Sequence, residues 1–421
     1  MKLARFRLIL ALTCVVAPVV GAARTAHGEG FRVTIERRLG LECGDCDGVA
    51  LGDINGNGKA DLLASNGKGG TAFWFEQGET PWQWTRHHIF TIPQRPREIE
   101  GNDLGDFNGD GRLEAISLDQ PNGTLYLHKA KGDPRGEWAT VVLLTGRPYV
   151  QASLVTDVDG DGRDNLIYTW EGDAQGRGGV HWLKLTGDDV LNPDHWTDHV
   201  MVTHESAWWL APRRVDLSSN GRATDLAFTA RNIPGRNPGA RPGVYWLEEP
   251  ADATGLWKLH TIDRTLRHPL HIDLGDFSGA GHGKDLVVGG FSTNHIAWYE
   301  FSADWRRHDL PLPEVAPGVA PDRVWNVKGI PYAGPRDGIL APVNRGNRGA
   351  LLIFEFIDGA YRPNALLPLR YGHPMDDRIV LCDLDGDGRP EAIIPDSGTG
   401  VNRLWIVKFA VGAACEGGAQ Q

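Results

Sequence analysis

The chain has 421 residues, a formal net charge of −11 and a hydrophobic fraction of 41%. A net acidic chain without a Lys/Arg-rich run is not typical of nucleic-acid-binding proteins, so we expect no nucleic-acid partner. No apolar stretch reaches the roughly 20 residues that a membrane-spanning helix needs, so we expect no membrane span.

The first 23 residues have the pattern of a secretory signal peptide. Three basic residues precede an apolar run from Leu8 to Val20, and small residues near Ala22 or Ala23 provide a cleavage position. A lipoprotein signal at Cys14 is disfavoured, because the residue before it is not the small Gly or Ala that such a site prefers. We therefore predict that residues 1–23 are a signal peptide and that the mature protein is secreted or periplasmic.

A glycine-rich acidic motif recurs along the rest of the chain, and the copy DLDGDGRPEAII shows it in full. Complete copies start at Asp53, Asp106, Asp157 and Asp383, and weaker copies start at Asp216, Asp276 and Gly329. In the copy from Gly329 only the closing Asp337 and an apolar run survive. Successive copies start 51 to 60 residues apart, a period that is typical of a propeller, solenoid or array.

Each complete copy places oxygen-bearing side chains at positions 1, 3, 5 and 9 of a glycine-rich turn. These residues are Asp53, Asn55, Asn57 and Asp61; Asp106, Asn108, Asp110 and Glu114; Asp157, Asp159, Asp161 and Asn165; and Asp383, Asp385, Asp387 and Glu391. Alternating oxygen ligands around a tight turn are what Ca²⁺ requires. An EF-hand is excluded, because it needs its bidentate acid at position 12 and flanking helices. Asx-rich turns without metal are the alternative, but four copies in register favour several structural Ca²⁺ sites.

Each period also contains four short runs of alternating apolar residues bounded by turn residues, which predicts β-strands. The third run is centred on Trp74, Tyr126, Trp182, Trp246, Trp298, Ile353 and Trp405. In four copies the fourth run has Trp followed three residues later by His, namely Trp84 and His87, Trp196 and His199, Trp257 and His260, and Trp305 and His308. Because these residues recur with the repeat, we interpret them as packing between neighbouring sheets rather than as ligand-binding groups.

The seventh repeat ends at its third strand, and the N-terminal segment Phe31 to Arg38 fits the missing fourth strand. Its pairing with the last sheet would close a ring and remove two exposed sheet edges. We therefore predict an all-β fold, a seven-bladed β-propeller of four-stranded blades. It occupies residues 24–409 as a single domain, is followed by a tail at 410–421, and is expected to be a monomer.

Four cysteines lie outside the predicted signal peptide: Cys43, Cys46, Cys382 and Cys415. Disulfides are permitted in an exported chain, but four cysteines allow three pairings and the sequence does not choose between them. The segment CGDC admits a local bridge, a redox pair or half of a metal site, and the bridge is favoured. Cys382 stands where other copies have glycine, which predicts a small buried residue.

The metal turns and the W-x-E and W-x-x-H strands resemble the FG-GAP or VCBS repeat family of secreted proteins, from about Phe31 to Phe409. The resemblance implies a calcium-binding β-propeller with the ions on the turn between the first and second strands. It implies no single activity, because ligand binding and adhesion are frequent and similar propellers carry out carbohydrate chemistry, as in ulvan lyases and the fungal aldos-2-ulose dehydratase. Ser218, Ser278 and Ala280 depart from the metal pattern, which argues against metal in the fourth and fifth copies; the sixth has lost nearly all of it.

The first strand of a propeller blade lines the central channel, so the loops that lead into these strands share the face opposite the metal turns. We name these connections the mouth loops and their side of the ring the mouth face. The mouth loops do not repeat in sequence, and variable loops on a rigid scaffold are where binding usually resides. Candidate ligand-binding residues are Trp208, Trp209, Trp325, Arg97 and Asp376. Aromatic faces with arginines and carboxylates suit a carbohydrate; a protein is the other candidate ligand, and a mouth without ligand is the remaining interpretation.

The mouth loops also admit an enzyme of the polysaccharide lyase or sugar dehydratase type. In that alternative His271 or His373 is the base and Tyr149 the acid. Arg323 or Arg378 neutralises an acidic group of the substrate.

Overall fold

The computed structural model describes residues 31–173, 177–204, 206–232, 241–266, 268–291, 294–331, 335–369, 378–396 and 402–413. In these residues the chain forms seven antiparallel sheets arranged as the blades of a propeller, as predicted. The one helix among them is a short 3₁₀ helix, Pro193–His195. No helix of the described part has the length and apolar character needed to cross a membrane.

The blades are numbered by their first strands in chain order. Blade 1 consists of Cys46–Gly52, Asp61–Asn66, Thr71–Gln77 and Trp84–Thr91. Blade 2 consists of Ile99–Gly105, Glu114–Asp119, Thr124–Ala130 and Trp138–Leu144. Blade 3 consists of Val150–Thr156, Asn165–Trp170, Gly179–Leu185 and Trp196–Thr203. Blade 4 consists of Ala207–Leu210, Leu226–Ala230, Gly243–Glu248 and Lys258–Asp263.

Blade 5 consists of Pro269–Gly275, Asp285–Gly290, His295–Glu300 and Arg306–Pro311. In blade 6 the first strand is split into Arg323–Val324 and Lys328–Ile330, which both pair with Gly338–Arg345; Arg348–Ile357 and Ala360–Leu369 follow. Blade 7 consists of Val380–Cys382, Glu391–Asp396, Arg403–Ala413 and the N-terminal strand Phe31–Glu42.

The N-terminal strand closes the ring, as predicted. It pairs antiparallel with the last strand, from Phe31 opposite Ala413 to Glu42 opposite Arg403. It also reaches blade 6, because the backbone N–H of Val33 donates to Glu355 Oε2 at 3.1 Å. The first strand of blade 7 contacts that of blade 1, so the last blade is held to the first one directly.

Neighbouring blades are joined near the channel by hydroxyl groups on their second strands. Ser65 Oγ donates to the carbonyl of Ile99 at 3.2 Å, joining blades 1 and 2. Thr169 Oγ1 donates to the carbonyl of Trp208 at 2.6 Å, joining blades 3 and 4. Both accepting carbonyls lie at a register shift of their own sheet, where the regular ladder is interrupted, so a hydroxyl from the neighbouring blade can satisfy them.

The repeated third-strand tryptophans contact the repeated histidines within one sheet, whereas the sequence predicted packing between neighbouring sheets. In blades 1, 3, 4 and 5 the imidazole of the fourth strand stacks on the indole of the third, with ring centroids 3.9 to 4.6 Å apart. These pairs are Trp74 and His87, Trp182 and His199, Trp246 and His260, and Trp298 and His308. The histidines are therefore structural in these blades.

The predicted centre of the third strand was wrong by one residue in blades 2 and 7. In blade 1 Trp74 lies opposite Leu63, two residues after the position-9 acid. The equivalent opposing residues, Ile116 and Ile393, pair with Leu127 and Ile406 rather than with Tyr126 and Trp405. The error arose because an aromatic stands beside the true central position in both strands, and only the hydrogen-bond ladder fixes the register.

Ring closure can be tested by a matched pair of substitutions on the N-terminal strand. Val33 is fully buried and the adjacent Thr34 is exposed, because successive side chains of a strand point to opposite sides. We expect Val33→Asp to lower the free energy of unfolding by about 3 kcal/mol or more, since it buries an unpaired charge. Thr34→Asp should have little effect. Equal denaturation midpoints in urea for both variants and the wild type would contradict closure by this strand.

Candidate functional site

The predicted metal turns lie between the first and second strands of their blades, all on one face of the ring. In blade 7 Asp383 accepts hydrogen bonds from the backbone N–H groups of Asp387 at 3.1 Å and Gly388 at 2.9 Å. Gly386 and Gly388 have φ angles of 77° and 84°, which favour glycine. In the turns of blades 1, 2 and 3 the backbone N–H of position 6 likewise donates to the carboxylate of position 1, at 2.8 to 2.9 Å.

The side chain at position 9 closes each turn from inside the sheet. Glu391 Oε2 accepts from the N–H of Leu384 at 2.8 Å, and Glu114, Asn165 and Asp61 make the same bond in their blades. Glu391, Glu114 and Asp61 are fully buried. Burial raises the pKa of Glu391 and of Glu114 to about 7 and that of Asp61 to about 6. The cause is desolvation, because burial disfavours the charged form of a carboxyl group.

Two turns bring three carboxylates together closely enough to share a cation. In blade 3 these are Asp157, Asp159 and Asp161, and in blade 7 Asp383, Asp385 and Glu391, with one oxygen of each within 4.8 Å of the others. Asp159 Oδ1 and Glu391 Oε1 are buried oxygens without a hydrogen-bond partner in the described part of the chain. Oxygen-only donor sets that include oxygens without a hydrogen-bond donor fit a hard cation such as Ca²⁺.

The turns of blades 2, 3 and 7 each have a lysine nearby that was not among the predicted site residues. Lys129 Nζ donates to Asp110 Oδ2 at 2.9 Å and to Glu114 Oε1 at 2.8 Å. Lys184 pairs with Asp159 and Asp161, and Lys408 pairs with Asp385 and Asp387. The signal was present in the sequence, but the one-residue error in strand register concealed that the three lysines are equivalent.

The turns of blades 4 and 5 keep the shape of the motif with fewer carboxylates. Asp216 accepts from Asn220 and Gly221, and Asp225 Oδ2 accepts from Leu217 and Ser218 at 2.8 and 2.7 Å. In blade 6 the predicted closing residue Asp337 does not occupy position 9 but the position before it. Its Oδ2 accepts a hydrogen bond from the backbone N–H of Asp276 in blade 5. Asp164, which directly precedes the position-9 residue of blade 3, accepts in the same way from Asp106 in blade 2.

The three tryptophans proposed for ligand stacking are buried in the mouth face. Trp208, Trp209 and Trp325 are 6%, 6% and 5% exposed. The guanidinium of Arg231 covers the ring of Trp208 at 3.0 Å from its centroid. Trp325 Nε1 donates to Asn344 Oδ1 at 2.6 Å. Their indole faces are therefore occupied by protein contacts in this conformation.

His271 and Arg378 lie in the central channel. His271 is 4% exposed, its Nδ1–H donates to the carbonyl of Trp325, and its ring meets that of Trp209 edge-on at 4.0 Å. Burial lowers the pKa of His271 to about 3, so the imidazole is neutral at neutral pH. Its Nε2 has no hydrogen-bond partner among the described residues. Arg378 pairs with Asp103 at 3.2 Å and donates to the carbonyl of Ser153.

The other candidates of the mouth face are partly exposed. Arg97 Nη1 donates to the carbonyl of Ile92 at 2.7 Å. Arg323 lies over Phe291 and Trp325 at 5.5 and 5.6 Å. Tyr149 lies in the loop between blades 2 and 3 with a φ of 59°. His373 and Asp376 lie outside the described residues.

The cysteines near the mouth form the local bridge that the spacing favoured. Cys43 and Cys46 are joined by a disulfide and are fully buried. Cys382 is also buried and lies opposite Glu391, as Gly105 lies opposite Glu114. Cys415 lies outside the described residues.

A cleft of about 500 Å³ opens on the metal-turn face between blades 5 and 6. Trp298, Phe356 and Tyr361 contribute aromatic surface to it, and Arg306 and Arg336 contribute positive charge. Glu300 and His308, which bond each other at 3.2 Å, lie in the same cleft with about a third of each side chain exposed. The sequence pattern predicted packing for Trp298 and His308 and indicated no role for the other residues of this cleft, because a repeat does not specify the shape of the space between two blades.

Comparison with known families matches one part of the chain. Residues 53–117 and 106–168 match the FG-GAP-like repeat. The matched part covers the metal turns of blades 1, 2 and 3, where the motif is complete. No match was found among curated proteins.

The propeller is similar in fold to several solved structures. Hydrazine synthase from Kuenenia stuttgartiensis has a TM-score of 0.53 at 10% identity, over 88% of this chain and 97% of that one. A protein from Lactobacillus plantarum has a TM-score of 0.47 at 11% identity, over 76% and 84%. The α-L-arabinofuranosidase from Fusarium graminearum has a TM-score of 0.45 at 10% identity, over 72% and 92%. At these identities the likeness concerns the fold alone.

The role of Arg378 can be tested separately from any ligand. Its side chain and that of Asp103 are 16% and 12% exposed, so removing the guanidinium leaves a poorly solvated carboxylate. We expect Arg378→Met to lower the free energy of unfolding by about 3 kcal/mol. Adding Asp103→Asn should recover part of that loss, measured by urea denaturation in a double-mutant cycle. A fully stable Arg378→Met variant would show that the pair does not support the channel.

Proposed function

We propose that this FG-GAP-like propeller is an exported binding module whose scaffold is stabilised by Ca²⁺ and whose ligand is a carbohydrate. Export rests on the signal-peptide pattern of residues 1–23, which lie outside the described residues. The calcium part rests on Glu391 Oε1 and Asp159 Oδ1, two buried oxygens inside acidic turns that accept no hydrogen bond from the described residues. The residues that would hold the ions are those at positions 1, 3, 5 and 9 of the turns in blades 1, 2, 3 and 7.

The observation that supports ligand binding is the difference between the two faces of the ring. One face repeats the same turn, whereas the mouth loops differ from blade to blade and present partly exposed Arg97, Tyr149 and Arg323. Fixed arginines can hold the hydroxyl or carboxylate groups of a sugar. Because Trp208, Trp209 and Trp325 are buried, polar groups rather than these indoles would make the contacts there.

The cleft between blades 5 and 6 is a second location for the same function. It combines aromatic surface from Phe356 and Tyr361 with Arg306 and Arg336, and its volume of about 500 Å³ is in the range of ligand pockets. Arg306 is exposed and faces Glu300 across the strand pair. A sugar carrying an acidic group would match this combination of aromatic and cationic groups.

The enzymatic alternative places proton abstraction on His271. Its neutral imidazole and unpaired Nε2 suit a base. Its exposure of 4%, however, means that substrate would reach it only after side chains of the channel move aside. The geometry therefore favours binding over a lyase or dehydratase reaction.

Calcium dependence is tested by thermal unfolding in EDTA and in excess Ca²⁺. We expect the midpoint to rise with Ca²⁺, since each site adds roughly 2.7 kcal/mol at a hundredfold excess over its Kd. Asp385→Ala should remove one ion, because it deletes a ligand of blade 7. Asp188→Ala, at a fully exposed aspartate outside the turns, is the matched control. Equal midpoints in EDTA and in Ca²⁺ would contradict the proposal.

Ligand class and location are tested together by a glycan and polysaccharide binding screen. We expect the wild type to retain a carbohydrate without releasing product. Loss of binding in Arg97→Ala and Arg323→Ala locates the site on the mouth face, and loss in Arg306→Ala and Arg336→Ala locates it in the cleft. Release of unsaturated sugar, abolished by His271→Ala, would show a lyase instead. No binding of any glycan by calcium-loaded protein would overturn the carbohydrate proposal and favour a protein ligand.

A further inference from the structure

One position in each blade is occupied either by glutamate or by lysine. It lies two residues after the centre of the third strand, as the strand registers define it. In chain order the seven residues are Glu76, Lys129, Lys184, Glu248, Glu300, Glu355 and Lys408. The choice between opposite charges at one structural position calls for a physical cause.

The choice follows the number of carboxylates in the adjacent turn. Positions 1, 3, 5 and 9 hold three carboxylates in blade 2, three in blade 3 and four in blade 7, and these blades have lysine. Blade 1 holds two at these positions, and the turns of blades 4 and 5 hold two, counting Asp225 and Asp285; these blades have glutamate. Lysine therefore occurs where the turn carries the larger negative charge.

The lysines and the glutamates at this position have different hydrogen-bond partners. Each lysine donates to carboxylates of its own turn, as Lys129 does to Asp110 and Glu114. Three glutamates bond the stacked histidine of the fourth strand at 2.8 to 3.2 Å, namely Glu76, Glu248 and Glu300. Glu76 also accepts from the Asn55 amide of its own turn at 2.9 Å, where the turn offers a neutral donor. The lysines are thus directed at the acidic turns and not at a repeated structural partner.

We propose that Lys129, Lys184 and Lys408 are internal counter-ions that hold the acidic turns together without metal and weaken Ca²⁺ binding at those turns. The second half rests on the proposed calcium function. An ammonium group beside Asp110 and Glu114 lowers the repulsion between them, and it repels a divalent cation that enters the same turn. For charges about 5 Å apart in a water-like medium, that repulsion amounts to roughly a tenfold loss of affinity.

The two roles make a joint prediction for lysine substitutions. In EDTA, Lys129→Met should lower the melting temperature, because two carboxylates lose their counter-charge. Saturating Ca²⁺ should restore it, and one site should bind Ca²⁺ roughly tenfold more tightly than in the wild type. The measurements are thermal unfolding in EDTA and in Ca²⁺, and calorimetric titration with Ca²⁺.

Two variants of the same strand region serve as controls. Lys131→Met removes a lysine two residues away, whose side chain is 58% exposed and pairs with an 82% exposed Glu137, and should change neither quantity. Lys129→Arg keeps the charge and should keep the wild-type affinity. Lys184→Met and Lys408→Met repeat the test at the other two turns.

The outcomes separate this inference from the calcium proposal. Calcium that stabilises the wild type but binds all three Lys→Met variants with unchanged affinity would overturn the weakening of the sites. Lys→Met variants that melt in EDTA like the wild type would overturn the counter-ion role. Variants that stay unfolded even with Ca²⁺ would also count against it, because Ca²⁺ should replace the lost charge. If no protein responds to Ca²⁺, the calcium proposal fails, whereas melting of Lys129→Met below Lys131→Met in EDTA would still support the counter-ion role.

Discussion

The structure depends on the pairing of its two distant ends in one sheet. Strand Phe31–Glu42 supplies the outer strand of blade 7, so backbone groups that an open array would leave exposed are hydrogen-bonded. Closure also fixes the angle between all neighbouring blades, since seven sheets must fill one ring. The mouth loops and the metal turns acquire definite positions because of this closure.

Within the ring, the acidic turns bring like charges close together and therefore require positive charge nearby. Each turn concentrates carboxylates at the edge of a buried sheet, and the position-9 acids of blades 1, 2 and 7 are fully buried. Such groups need positive charge nearby, from a bound cation or from the protein itself. Lys129, Lys184 and Lys408 supply part of it where the carboxylates are most numerous. The net acidity of the chain is therefore partly a property of its repeated turns.

The mouth face shows how a propeller scaffold limits what its loops can offer. Large aromatic side chains next to the channel are buried between the blades, as Trp208, Trp209 and Trp325 are. Arg378 is held in the channel by its ion pair with Asp103, and His271 by its hydrogen bond to the carbonyl of Trp325. Arg97 and Arg323 remain partly exposed on the mouth face, and the cleft beside Tyr361 is one of the spaces that remain open between blades.

The sequence by itself determined the repeat, the number of blades, the turn chemistry and the strand that closes the ring, because each is written in local, periodic patterns. The recurrence of the tryptophans and histidines was visible in the same periodicity, but their stacking on each other was not. Only the tertiary structure decided which candidates of the mouth are buried, where Arg378 finds its partner and that blades 5 and 6 part to form a cleft. It also decided that Lys129 and Lys408 occupy the same position as Lys184. These properties depend on contacts between residues far apart in the chain and on strand register, and neither the spacing nor the type of a residue specifies them.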